Sequence, residues 1–91
     1  MEFDWDPVKA RANLAKHGVS FEAAKAVFDD PLAVERLDDS VDYGESRFVI
    51  VGIVRDLLLS VVYVERNRAV RLISARRASR KEQDDYFQRR A

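Results

Sequence analysis

The stretch RLISARRASRK, Arg71 to Lys81, places five cations, Arg71, Arg76, Arg77, Arg80 and Lys81, within eleven residues. A guanidinium offers a rigid fork of donors to two oxygens of a phosphate and stays charged at any ordinary pH, so such a cluster suits a phosphate backbone. A solvated surface would use the same residues. Arg47 and Arg66 lie at the ends of two apolar runs and extend the set. His17 is the one side chain that titrates near neutrality unaided, which suits a general acid or base. Its place in KHG equally suits a cation at the end of a helix, where it complements the dipole and can bond free carbonyls. Glu45 would serve as a base if its pKa were raised, or would simply pair with Arg47 two residues on. Lys9 and Lys16 carry the same ambiguity as His17, although a lysine there could supply charge to a polyanion lying over the sheet.

Other chemistries are excluded by composition. Without cysteine and with a single histidine, the chain can build no disulfide, thiolate zinc site, cysteine nucleophile or His-rich metal centre. A carboxylate-only magnesium site stays open. The N-terminus MEFDWDPVK is acidic and lacks an apolar signal core, and no apolar run approaches the roughly 20 residues of a membrane span. A cytoplasmic protein is therefore expected. The formal net charge of zero hides a division: residues 1–65 hold seven Lys/Arg against thirteen Asp/Glu, and residues 66–91 hold nine against three. That asymmetry points to an anionic partner near the C-terminal third, or to two halves that neutralise each other on folding.

The elements that must position these residues are legible in order. Ninety-one residues, 47% of them hydrophobic, suit one domain spanning 1–91 with one core. EFDW alternates just enough for a short first strand. Asp6-Pro7 supplies an N-cap and a proline at the first helical position, and Gly18 a left-handed stop, which predicts helix one over Pro7 to His17. Val8, Ala12, Ala15 and Leu14 form its expected apolar side, with Lys9, Arg11, Asn13 and Lys16 on the polar side. Ser20 caps a second helix with Phe21, Ala24, Val27 and Phe28 as its stripe, ended by Asp30-Pro31. AVERLDD predicts a strand with Val34 and Leu37 partly buried, followed by the polar turn DSVDYGE.

RFVIVGIVRD, apolar on both alternating faces, LLLSVVYVER and AVRLISARR then read as an antiparallel meander turning at Arg55-Asp56 and Asn67-Arg68. Ser79 with Glu82 is a capping box that starts a last helix, about Arg80 to Arg89. Tyr86 should pack its ring on the sheet with its hydroxyl in water, and Phe87 should be core. Trp5, Phe21, Phe28 and Phe48 could stack on bases, but their spacing places them in the core. The fold class is α+β: strand, helix, helix, a 3–4-stranded antiparallel meander and a C-terminal helix, with helices on one face of the sheet.

In a meander alternate strands run in opposite directions, so Arg47, Arg66 and Arg71 should share one rim while Arg76 lies toward the other. Strict alternation puts Val70, Leu72, Ser74 and Arg76 on one face, and Arg71, Ile73, Ala75 and Arg77 on the other.

FDWDxxKxxxNxxKHGVSFEAA, Phe3 to Ala24, resembles the opening of the BrnT family of bacterial toxins, and RLISARRASRKE with Tyr86 resembles its closing motif. Asp30-Pro31, Tyr43 to Arg47, Gly52 and Val61 to Asn67 follow in the expected order between them. The resemblance implies a ribonuclease toxin of a type II toxin–antitoxin pair, with a RelE-like fold and no metal or other cofactor. It also implies a BrnA-like ribbon-helix-helix antitoxin as partner, a 2:2 complex, and operator DNA bound only through that antitoxin. One departure stands at Val64, where many members carry threonine.

Metal-free RNA cleavage needs a base for the 2′-hydroxyl proton, cations for the phosphorane and an acid for the leaving 5′-oxygen. Arg47, Arg66, Arg76, Arg77, His17 and Glu45 are the catalytic candidates, and Lys9, Lys16, Arg71, Arg80 and Lys81 the RNA-binding ones. The alternative function is a weak or inactive module that holds nucleic acid or its antitoxin for operon repression.

Overall fold

The computed structural model describes residues 1–39 and 44–88. The expected end of the last helix at Arg89, and Tyr43 with the middle of the polar turn, lie outside the described residues. The elements are β1 (Glu2–Asp4), α1 (Pro7–His17), α2 (Phe21–Ala24) continued by a 3-10 segment (Lys25–Asp29), β2 (Val34–Asp38), β3 (Arg47–Val54), β4 (Leu57–Arg66), β5 (Ala69–Arg77) and α3 (Arg80–Gln88). The fold is α+β, as the sequence predicts. No helix among the described residues is long and apolar enough to cross a membrane.

Each boundary has its local cause. Asp6 accepts the Val8 N–H at 2.8 Å to start α1, and Gly18, with φ 71°, donates its N–H to the Leu14 carbonyl to end it. Ser20 Oγ accepts the Ala23 N–H at 3.0 Å. Asn67 and Arg68 both have positive φ, the type I′ geometry whose twist suits the β4–β5 hairpin. Ser79 and Glu82 close the capping box reciprocally, at 3.2 and 2.8 Å.

The sheet has five strands in the order β1-β5-β4-β3-β2. Strands β2 to β5 are antiparallel, but β1 pairs parallel with β5, Phe3 opposite Val70, so the sheet is mixed and one strand wider than the meander. α1 and α2 cover one face with Phe21, Ala24 and Val27 against Ile50, Leu59, Val61 and Leu72. α3 covers part of the other, against the expectation of helices on one face only, and there Tyr86 and Ala78 meet Val49 and Val51. Both faces of β3 are thus apolar because both are covered. Trp5, Phe21, Phe28 and Phe48 all belong to the first core, with Trp5 edge-on to Phe21 and Phe48 stacked on Tyr63.

Four expectations about side chains are corrected. Asn13, expected on the polar side of α1, is buried, while Val8 and Leu14 are exposed. The reason is chemical: the Asn13 amide donates to the carbonyls of Val19 and Ala75 and accepts the Ala75 N–H at 3.1 Å, so it completes the β5 edge as a strand would. Leu37 is exposed, since β2 is an edge strand. The Tyr86 hydroxyl is not in water but donates to Asp30 Oδ2 at 2.6 Å, and that oxygen also accepts the Ile53 N–H. Phe87 is exposed, because α3 turns Glu82 and Tyr86, one turn apart, toward the sheet.

Candidate functional site

Arg47 opens β3, Arg66 closes β4 and Arg71 lies near the start of β5, so the antiparallel order brings all three to one end of the sheet. Glu45 sits among them. Arg66 presents its Nε and Nη2 edge to the two Glu45 carboxylate oxygens at 3.0 and 2.5 Å, a bidentate pair. That bond, with the weaker fields of Arg66, Arg47 and Arg71, overcomes desolvation and holds the Glu45 carboxyl below its ordinary range. Pairing with Glu45 raises Arg66 in turn. The expected Glu45 ion pair is therefore made mainly with Arg66 rather than Arg47. Asp4 of β1 adds a second carboxylate, 3.5 Å from Arg71.

Val64 lies opposite Arg71 in the sheet and is fully buried, with none of its surface exposed. A threonine hydroxyl at this position would lie beneath the arginines and not on the surface above them. The departure alters packing under the site.

Arg76 is farther along the same face. β4 and β5 pair Ser60 with Arg76 and Val62 with Ser74, skip Ile73, and resume at Tyr63 with Leu72 and Val64 with Arg71. The extra residue is a β-bulge, and it reverses the alternation expected from the sequence. Arg71, Ser74 and Arg76 therefore share one face, while Leu72, Ala75 and Arg77 share the other. Arg76 and Arg77 still point opposite ways, but with different company. The partners of Arg71 and Arg76 are four residues apart on β4, so the two arginines stand about 13 Å apart along the strand.

Arg76 is held by a carboxylate that sequence reasoning assigned only to a helix cap. Its Nη1 donates to Glu82 Oε1 at 2.8 Å and to the Arg77 carbonyl at 3.0 Å, and its Nη2 to Glu82 Oε2 at 3.3 Å. Ser60 Oγ donates to Glu82 Oε2 at 2.9 Å. Burial pushes the Glu82 carboxyl up, but the hydrogen bonds from Arg76, the Ser79 N–H and Ser60 outweigh it, and the net shift is downward. Ser60, the one small polar residue within LLLSVVYV, was the legible signal: a polar residue inside a two-sided apolar strand needs a partner.

The remaining candidates lie elsewhere. Lys9, Lys16 and His17 are on α1, which packs through Ala10 on the opposite core and through Asn13 on the β5 edge. Arg80 and Lys81 are exposed in the first turn of α3, Arg80 at 3.6 Å from Asp84. Among the described residues no three His, Asp or Glu side chains gather so as to hold a metal ion.

No curated protein matches the sequence. Residues 5–82 match the family model described as the ribonuclease toxin BrnT of type II toxin–antitoxin systems, a span that includes every arginine of the sheet face and the Glu82 clamp. The chain belongs to the BrnT family of ribonuclease toxins.

Proposed function

We propose that this chain is an endoribonuclease that cleaves RNA without a metal ion, by attack of a 2′-hydroxyl on the adjacent phosphorus. The observation that carries the reading is the gathering of Arg47, Arg66 and Arg71 around Glu45 at one end of the sheet, in a chain of a ribonuclease toxin family. An RNA phosphate takes the fork of Arg66 in place of Glu45, which removes the bond that holds the Glu45 pKa down, and the freed carboxylate accepts the 2′-hydroxyl proton. The 2′-oxygen bonds to phosphorus, Arg66 with Arg47 and Arg71 stabilises the dianionic phosphorane, and the bond to the 5′-oxygen breaks. That oxygen takes its proton from water. The products are a 2′,3′-cyclic phosphate and a 5′-hydroxyl, and DNA, lacking the 2′-hydroxyl, is not cut. Arg76 binds a second phosphate of the same strand. Arg77 on the other face, and His17 with Lys9 and Lys16 on α1, take no part in bond breaking.

In this reading a BrnA-like ribbon-helix-helix antitoxin neutralises the toxin in a 2:2 complex and carries the operator DNA binding. The test is incubation with RNA in excess EDTA followed by mapping of the ends. Cyclic-phosphate ends that form undiminished in EDTA are expected. A second reading, a module that binds without cutting, is favoured by one observation: Arg66, Arg71 and Arg76 each already face a carboxylate. RNA left intact despite measurable binding would decide for it.

A further inference from the structure

Glu82 carries more bonds than a helix cap requires. Its two oxygens accept the Ser79 N–H, the Ser60 hydroxyl and both terminal nitrogens of Arg76. The cap alone needs one of these. The side chains differ in exposure as a holder and a presenter would: 12% for Glu82, 42% for Arg76. A guanidinium has five N–H donors in a plane. Both on Nη1 are committed, one to Glu82 and one to the Arg77 carbonyl, and one on Nη2 is committed to Glu82. What these bonds leave is the side edge, Nε–H with the second Nη2–H. That is the edge by which Arg66 grips the Glu45 carboxylate, so a bidentate oxyanion fits it.

We infer that Glu82 is a positioning residue: by holding Arg76 end-on, with Ser60 fixing the carboxylate from below, it turns the side edge of the guanidinium into a preoriented fork for an RNA phosphate. The inference rests on the reading of Arg76 as a phosphate ligand. It links the start of α3 to the sheet face, because the same carboxylate begins the helix and sets the arginine. An arginine at the end of a free side chain would lose rotamer freedom on each binding event, whereas a clamped one has lost it in folding.

The experiment compares Arg76→Ala, Glu82→Gln, Ser60→Ala and the Arg76→Ala/Glu82→Gln double variant of the 91-residue chain. Each is assayed for single-turnover cleavage of a labelled mixed-sequence RNA and for binding of the same RNA fully 2′-O-methylated. Glutamine still accepts the Ser79 N–H, so the capping box and α3 survive in Glu82→Gln, and far-UV circular dichroism checks this. Expected are a loss of about 10²-fold in the cleavage rate for Arg76→Ala, about tenfold for Glu82→Gln and a smaller one for Ser60→Ala, with the double variant no worse than Arg76→Ala. Cleavage unaffected by Arg76→Ala would sink the reading of Arg76 itself. An effect of Arg76→Ala with none from Glu82→Gln, a faster Glu82→Gln enzyme, or additive losses in the double variant would each overturn the positioning role while leaving that reading intact. Should Glu82→Gln prove unfolded, Ser60→Ala decides: a rate equal to that of the unaltered chain overturns the proposal.

Discussion

Arg71 and Arg76 are five positions apart in one strand yet face the same side of the sheet, because Ile73 is skipped in the pairing of β5 with β4. An odd separation in a regular strand would put them on opposite faces. The bulge therefore decides which member of the Arg76-Arg77 pair accompanies the rim arginines. It follows that Arg76→Ala should lower cleavage by about 10²-fold, the cost of misplacing the reacting phosphate when a second one is no longer held, while Arg77→Ala stays within about threefold. Single-turnover rates of the two variants check this. Equal losses would mean that the face is not the determinant.

Asn13 does the work of a β-strand from within a helix. Replacing it with alanine leaves the buried N–H and C=O of Ala75 and the C=O of Val19 without the amide. Each such group costs about 1–3 kcal/mol, so Asn13→Ala should destabilise the fold by roughly 2–4 kcal/mol after relaxation. For a chain of this size that lowers the thermal midpoint by about 10 °C or more. Calorimetry measures it; a shift under about 3 °C would show that water replaces the amide without loss.

The contrast between these residues explains what was legible in the sequence. Elements with strong local signals, such as Asp6-Pro7, Gly18, Asn67-Arg68 and the Ser79/Glu82 box, were readable because their causes lie within four residues. The helix-covered core followed from period and aromatic content. Asn13 was not readable, since its partner Ala75 is 62 positions away, and nothing local distinguishes an amide that faces water from one that completes a sheet edge. The bulge at Ile73 was hidden for the same reason: it is a property of the pairing between two strands, not of either one. For the site, the common rim of Arg47, Arg66 and Arg71 followed from strand direction alone, whereas the Glu45 partner and the Ser60–Glu82–Arg76 chain needed distances.

Glu45 and Arg66 provide a prediction in which affinity and rate part company. The carboxylate competes with an RNA phosphate for the Nε and Nη2 edge of Arg66, and in the proposed mechanism it then accepts the 2′-hydroxyl proton. Glu45→Gln removes the competing charge and the base together. Binding of 2′-O-methylated RNA should tighten by a few fold at low salt, while the cleavage rate falls by about 10²-fold or more. Fluorescence anisotropy and single-turnover kinetics measure the two. If both fall together, Glu45 serves to orient Arg66 and not to accept the proton.

Glu82 makes the acid stability of the fold predictable in sign. Its carboxyl titrates below its ordinary value in the folded chain, because three donors outweigh the cost of its burial, whereas in the unfolded chain it titrates near the ordinary 4.5. A depressed folded pKa contributes stability that is fully present above the unfolded value and is lost as pH falls through the folded one. The unaltered protein should therefore lose stability on acidification from about pH 5 downward. Glu82→Gln, which keeps a hydrogen-bond acceptor but does not titrate, should be less stable at neutral pH and lose less on acidification, so that the two curves converge. Urea midpoints taken from pH 7 to 3 trace both. Parallel curves would mean that the donors around Glu82 hold it no better in the folded chain than water does in the unfolded one, and the clamp on Arg76 would then contribute no stability of its own.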